Sequence, residues 1–386
     1  MQGKGKSSMY VDRQPGNRNR SRSRQIRNWI ILIVIVIAVL LGLRLLRNVG
    51  HTTEINVAML PCYASQSVTP FGDNVLYYDG ASIHCLTGAG AIRWSFPVGS
   101  GAFFSVSDTH LVAWAGSQLF IVDQNGRPSY NESMGGPIQF ARIGHGYAAA
   151  VVGDDTAASL VVKDLNGNQV DEETEAFKNK LLLDVGFYGD GGQYMWTLAI
   201  DVFGTAANTV MNTFQVGKMN TGVVSLGDAL TYKVLFEDSK LRVFTTQQMY
   251  TYDYKAVQDA SGTMLVYGWK VIDAFIPERG SASILLAPTS QTGTGQSISE
   301  LRVLSGNVDR RYTLPSACVG AAVEGKNIYA FSDNYLYRAD VDSQRFYGYA
   351  LPLPNGAQAT GFLGITKGGR ALLSSGETVY SVSLPQ

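Results

Sequence analysis

The stretch that decides the fold is SVTPFGDNVLYYDGASIHCLTGAGAIRWSF, residues 67–96. It contains four short apolar runs, 67–71, 74–78, 82–86 and 91–96. Asp79-Gly80 separates the second run from the third, and Thr87-Gly88-Ala89-Gly90 separates the third from the fourth. Alternating apolar runs broken by such turn residues mark successive hairpins. The stretch therefore predicts one four-stranded antiparallel sheet.

The same order recurs along the chain. Strand quartets are predicted over 103–131, 138–173, 181–226, 232–269, 271–314 and 318–350, with Asn125-Gly126 and Asn166-Gly167 as turns in the first two of these. The last unit supplies three strands, 360–366, 371–374 and 379–383. The apolar stretch EINVAML, 54–60, has no hairpin partner of its own and is expected to be the missing fourth. That pairing closes a ring and removes two exposed sheet edges. Residues 53–386 divided into eight units give about 42 residues each, within the ~40–50 of a four-stranded blade. The expectation is an all-β, eight-bladed β-propeller closed by its N-terminal strand. Seven blades are the alternative, since 181–226 is long and irregular. A β-sandwich with an extra domain fits the rhythm of four and the three-strand end less well.

Composition agrees with many short strands. Charged residues are 16% of the chain, against roughly 25% on average, and Gly is 42 of 386. Tyr and Phe are abundant, at 20 and 16. A disordered chain, a coiled coil and a disulfide-stapled miniprotein are excluded. The net charge of zero conceals two halves. Residues 1–50 carry ten Lys and Arg against one acid, Asp12, and the remainder carries 21 basic against 30 acidic residues. An acidic body is a poor partner for nucleic acid.

Residues Trp29 to Leu43 are apolar without a break, and Leu45 and Leu46 follow Arg44 before Arg47. Residues 29–46 span about 27 Å as a helix, nearly the ~30 Å hydrocarbon core, with Arg44 close enough to the end to snorkel. Trp29 occupies an interfacial position. A cleaved signal peptide is the alternative, but 44–56 contains no A-x-A site. Residues 29–46 are therefore expected to be a signal-anchor transmembrane helix, with 47–52 as a short tether. Residues 1–28 hold eight basic side chains, among them Arg18, Arg20, Arg22, Arg24 and Arg27, and too little apolar surface to fold. The positive-inside rule assigns this segment to the cytoplasm and residues 53–386 to the extracytoplasmic side of the cell membrane. Anionic lipid could hold the segment, although topology alone explains its charge.

The first unit ends in LTGAGAIRWSF, 86–96, where a Gly-containing turn (Thr87, Gly88) precedes a strand carrying Trp94. This resembles the blade ending of quinoprotein-like propellers with PQQ-like repeats. The later units depart from it: 122–126 has no Trp, and the sixth ends in Arg310-Arg311-Tyr312. The whole layout resembles a domain-of-unknown-function family of bacterial, clostridial-type membrane-anchored β-propeller proteins. It is also similar to the propeller lipoproteins of outer-membrane assembly, which are scaffolds, although no lipobox Cys is present. The resemblance implies architecture and no activity.

No motif names a reaction. A quinone-dependent dehydrogenase needs a stacking Trp, a Ca²⁺ site and a catalytic Asp, but the acids are scattered without ligand spacing. Asp154-Asp155 and Asp190, beside glycines, read as solvated turns. Residues 320–327 (GAAVEGKN) come one residue from a Walker loop, with Asn327 where Mg²⁺ needs Ser or Thr, and they fall between strands. Ser332-Asp333-Asn334 has no accompanying S-x-x-K nucleophile. His51, His84, His110 and His145 show no metal spacing. Cys62, Cys85 and Cys318 read as buried thiols, with a Cys62–Cys85 bridge as the alternative. The aromatics Tyr77, Tyr78, Trp94, Phe103, Phe104, Trp114, Trp196, Tyr250, Tyr252, Tyr254, Trp269, Tyr329, Tyr335 and Tyr337 read mainly as packing between blades, with a glycan- or peptide-binding rim as the alternative. No catalytic, cofactor or metal residue is assigned, and no cofactor is expected. The expected function is a non-catalytic scaffold that binds envelope or membrane proteins. A cell-wall glycan-binding module comes second, and a degenerate propeller enzyme third.

Overall fold

The computed structural model describes residues 54–385 apart from 156, 238, 278, 279 and 294. The basic segment 1–28, the expected anchor 29–46 with Trp29, Leu43, Arg44 and its neighbour Arg47, and the tether 47–52 lie outside the described residues. Among the described residues no helix is long and apolar enough to cross a membrane.

Residues 54–384 form eight four-stranded antiparallel sheets. Blades 1 to 7 are each continuous in sequence: 69–97, 103–133, 138–173, 181–227, 231–265, 269–318 and 320–350. Blade 8 combines three strands of 361–383 with the N-terminal strand Val57–Tyr63, which pairs antiparallel with Thr378–Ser383. The ring is thus closed by the first strand on the last, and the eight-blade reading holds over the seven-blade one.

Packing explains the ring. The two middle strands of a blade are buried on both faces and read as unbroken apolar runs, such as Leu111–Trp114 and Leu119–Val122 in blade 2. Eight apolar clusters result, each joining two neighbouring blades. The closing one sets Leu60, Cys62, Leu372 and Val379 of blade 8 against Val75, Tyr77 and Leu86 of blade 1. At about 25 cal/mol per Å² of apolar surface, these seams supply the main stabilisation of the ring.

A second device repeats around the rim. The outer strand of one blade docks on the turn between the third and fourth strands of the next. Trp94 donates its indole N–H to Gln124 O at 2.9 Å and lies over Gly126, where φ is +79° and a Cβ would strike the ring. Tyr130 covers Gly167 in the same way, and Gly217 donates its N–H to Asp171 Oδ2 at 3.0 Å. Thr221 Oγ1 donates to Tyr254 O at 3.0 Å, and Tyr312 OH to Val341 O at 2.5 Å. The Trp94 that carried the quinoprotein-like resemblance therefore joins two blades. Blade 5 breaks the series, because its outer strand is Met264–Leu265, only 2 residues long.

Strand boundaries depart most from expectation at three places. The closing strand is Val57–Tyr63 in place of 54–60, because Leu60 and Cys62 are the side chains that fit the seam. Residues 264–269 are not one strand: Gly268 at φ +81° and a bond from Trp269 N to Val266 O, 2.9 Å, turn the chain into blade 6. The outer strand of blade 6 is longer than 310–314, running Val308–Cys318.

Candidate functional site

Antiparallel pairing sorts the loops onto two faces. One, the turn face, carries the turns between strands one and two and between three and four. The other, the link face, carries the turns between strands two and three and the links to the next blade. The closing strand begins on the turn face, where Asn56 and Ser383 exchange two hydrogen bonds of 2.8 and 2.9 Å.

Most side chains singled out from sequence have structural duties. Gly325-Lys326 is the turn between the strands Gly320–Glu324 and Asn327–Phe331, so the Walker-like run opens no helix. Ser332, Asp333 and Asn334 form a turn whose Ser332 Oγ accepts from Tyr335 N at 3.0 Å. Asp154 and Asp155 are exposed in the loop between Tyr147–Val152 and Ser159–Asp164. His84 stacks on Tyr77 at 4.7 Å and bonds Asp79 Oδ2 and Ser95 Oγ, both at 2.7 Å. The His84 bond holds the Asp79 carboxyl down at about 2. Cys62, Cys85 and Cys318 are free and buried, without a Cys62–Cys85 bridge, and burial pushes their thiols up to about 11, 11 and 12. Among the described residues no three His, Cys, Asp or Glu side chains converge as a metal site requires. Of the aromatics, Tyr77, Trp114, Trp196, Tyr252, Trp269 and Tyr329 are buried, while Phe103, Tyr254 and Tyr335 are exposed.

Charged side chains on the inner strands tie blade to blade. Arg142 of blade 3 bonds Asp184 of blade 4 at 2.9 Å. Asp273 of blade 6 accepts the N–H of Val323 in blade 7 at 2.8 Å, and burial raises its carboxyl above the usual range. Sequence spacing gave no sign of these groups, since each bridges sheets some 40 to 50 residues apart. On the turn face, the inner-strand ends of blades 3 to 6 surround a cavity of about 620 Å³ lined by Phe187, Tyr188, Phe236, Ile276 and Pro277 among others.

The link face of blades 4 to 6 carries several exposed apolar side chains. Val202 and Phe203 cap the turn between strands two and three of blade 4. Leu230 lies in the link to blade 5, and Leu265 and Tyr267 lie at the link to blade 6. All five are 45–72% exposed. Backbone bonds hold two of these segments on the Thr246-Gln247 turn of blade 5: Thr246 N to Leu230 O at 3.2 Å and Val266 N to Gln247 O at 2.9 Å. Phe203 N donates to Asp201 Oδ1 at 3.0 Å, which holds its turn. Large apolar side chains gathered on rigid turns are a protein-contact surface in chemical terms. None of the five was a candidate from sequence: Val202, Leu265 and Tyr267 fell within expected strands, and Phe203 and Leu230 in the connections between them.

No protein-family model matches the chain, and no curated protein matches it. Solved structures do. Sqt1 of Saccharomyces cerevisiae is similar with a TM-score of 0.55 and 10% identity, over 87% of this chain and 97% of that one. BamB from Moraxella catarrhalis is similar with a TM-score of 0.49 and 10% identity, over 86% of this chain and 98% of that one. At such identity the likeness to Sqt1 is one of fold.

Proposed function

We propose that the chain is a non-catalytic, membrane-anchored scaffold whose extracytoplasmic propeller binds a protein of an envelope-associated complex. The observation that carries this reading is the link-face group Val202, Phe203, Leu230, Leu265 and Tyr267, apolar, exposed and held on hydrogen-bonded turns. A preorganised surface binds without the entropy cost of ordering its own loops. Aromatic anchors such as Phe203 and Tyr267 are the type that dominates protein interfaces. The membrane part of the proposal rests on the sequence of 1–52, and with it goes kinship to the clostridial-type anchored propellers. In-cell cross-linking of the tagged full-length chain, followed by mass spectrometry, tests it. The expected result is one or a few envelope proteins that disappear when residues 53–386 are deleted and the anchor is kept. An identical protein set from both forms would refute a scaffold.

A further inference from the structure

On the turn face, the seam between blades 5 and 6 opens into a pocket of about 380 Å³. Its origin is the break in the rim series. At five other seams an outer strand sends a side chain onto the next blade's turn, as Trp94 does over Gly126. Blade 5 has only Met264–Leu265, so nothing of that kind covers the Gly306-Asn307 turn of blade 6, which lines the pocket instead. The chain before the short strand folds back over 253–263, where Asp259 Oδ1 accepts from Ser261 N at 3.1 Å.

The pocket has an apolar floor and a polar wall. Met249, Met264, Ile284 and Leu304 form the floor. In the wall, Arg242 Nε bonds Glu237 Oε2 at 3.1 Å, and Arg242 Nη1 donates to Thr251 Oγ1 at 2.7 Å. Lys240 Nζ bonds Asp259 Oδ2 at 2.7 Å, and Arg302, just behind the wall, grips Asp309 with two bonds of 2.8 and 2.7 Å. Among the described residues each base is matched by an acid, so these side chains offer no net attraction to an ion. It does offer unused donors on Lys240 and Arg242 beside carboxylate oxygens with spare lone pairs. Arg242 and Glu237 are held in place by bonds to the two blades, Glu237 through the Ala282 N–H at 2.9 Å. Hydroxyl groups, which donate and accept at once, suit such alternation, and the C–H face of a sugar ring suits the methionine floor. The volume lies within the ~300–1,000 Å³ of small-ligand sites.

We propose that this pocket binds a neutral saccharide of one or two sugar rings. It lies on the opposite face from the apolar group and does not depend on the scaffold reading. The test uses the full-length chain in a detergent without a sugar headgroup. Cellobiose and N,N′-diacetylchitobiose are the probes, with citrate and glycylglycine as charged comparators, measured by ligand-observed NMR and titration calorimetry. At least one disaccharide should bind with a Kd of about 1 mM or tighter, and neither comparator should. Ser261→Trp, an exposed position at the mouth, should weaken disaccharide binding at least tenfold while the thermal transition stays in place. Asn307→Trp, exposed on the blade 6 side, serves the same purpose if the first variant fails to fold. Absence of disaccharide binding, equal binding of citrate or glycylglycine, or disaccharide binding untouched by a folded Trp variant would each overturn the assignment.

Discussion

Deleting residues 57–63 should lower the thermal unfolding midpoint by roughly 5–10 °C and make the protein aggregate on heating. The strand pairs with blade 8 at Val57↔Val382, Ala58↔Ser381 and Met59↔Tyr380. It also brings Leu60 and Cys62, 3% and 5% exposed, into the seam with blade 1. Burying a side chain of the size of Leu60 is worth about 1.5–3 kcal/mol. The ladder bonds and the neighbouring side chains of the opened seam add to that. A loss near 5 kcal/mol is comparable with the whole stability of many domains, and each kcal/mol moves the midpoint by about 1–2 °C in a chain of this size. The freed strand Thr378–Ser383 would then present an unpaired edge, which is a route to aggregation. The checks are circular dichroism and light scattering on the same heating ramp. A midpoint within 2 °C of the intact chain would mean that the ring does not depend on this closure. Leu60→Asp should act in the same direction without shortening the chain.

Glu237→Ala should destabilise by about 1–3 kcal/mol, the range for leaving a buried N–H without its acceptor. Glu237 is 7% exposed, and its two oxygens serve different blades: Oε1 takes the Ala282 N–H of blade 6, Oε2 the Arg242 side chain of blade 5. Alanine leaves a buried N–H without an acceptor and a guanidinium without its charge partner. Glu237→Gln keeps an acceptor for Ala282 and should lose about half as much. Denaturant midpoints of the three proteins decide the matter. If the alanine variant lies within about 0.5 kcal/mol of the parent, an ordinary surface effect, Glu237 is not a tie between blades.

The architecture was largely legible in sequence because each blade is local. Asn74–Tyr78 was delimited correctly by its flanking turns, and Asp79-Gly80 stands between two strands as read. The long fourth unit proved to be an ordinary four-stranded blade with long middle strands, Tyr194–Asp201 and Asn208–Gln215. Errors arose where tertiary fit sets the register. The closing strand starts at Val57 because the seam selects Leu60 and Cys62, a choice that hydrophobicity alone does not express. The functional surfaces were less legible. Phe203 and Tyr267 are ordinary aromatics in sequence, and only the turn geometry exposes them. The Glu237, Arg242 and Asp259 pocket depends on the shortness of one outer strand, which the apolar run 264–269 concealed.

The proposed partner docks on the link face of blades 4 to 6. A photo-cross-linking amino acid at Tyr267 of the full-length chain, activated in cells, tests it most directly. The comparison is the same amino acid at Ala81, exposed on the link face of blade 1, across the ring of eight. The expected result is a discrete protein adduct from position 267, absent from position 81, and lost when Phe203→Asp is added. No adduct from 267, or equal adducts from both positions, would contradict it.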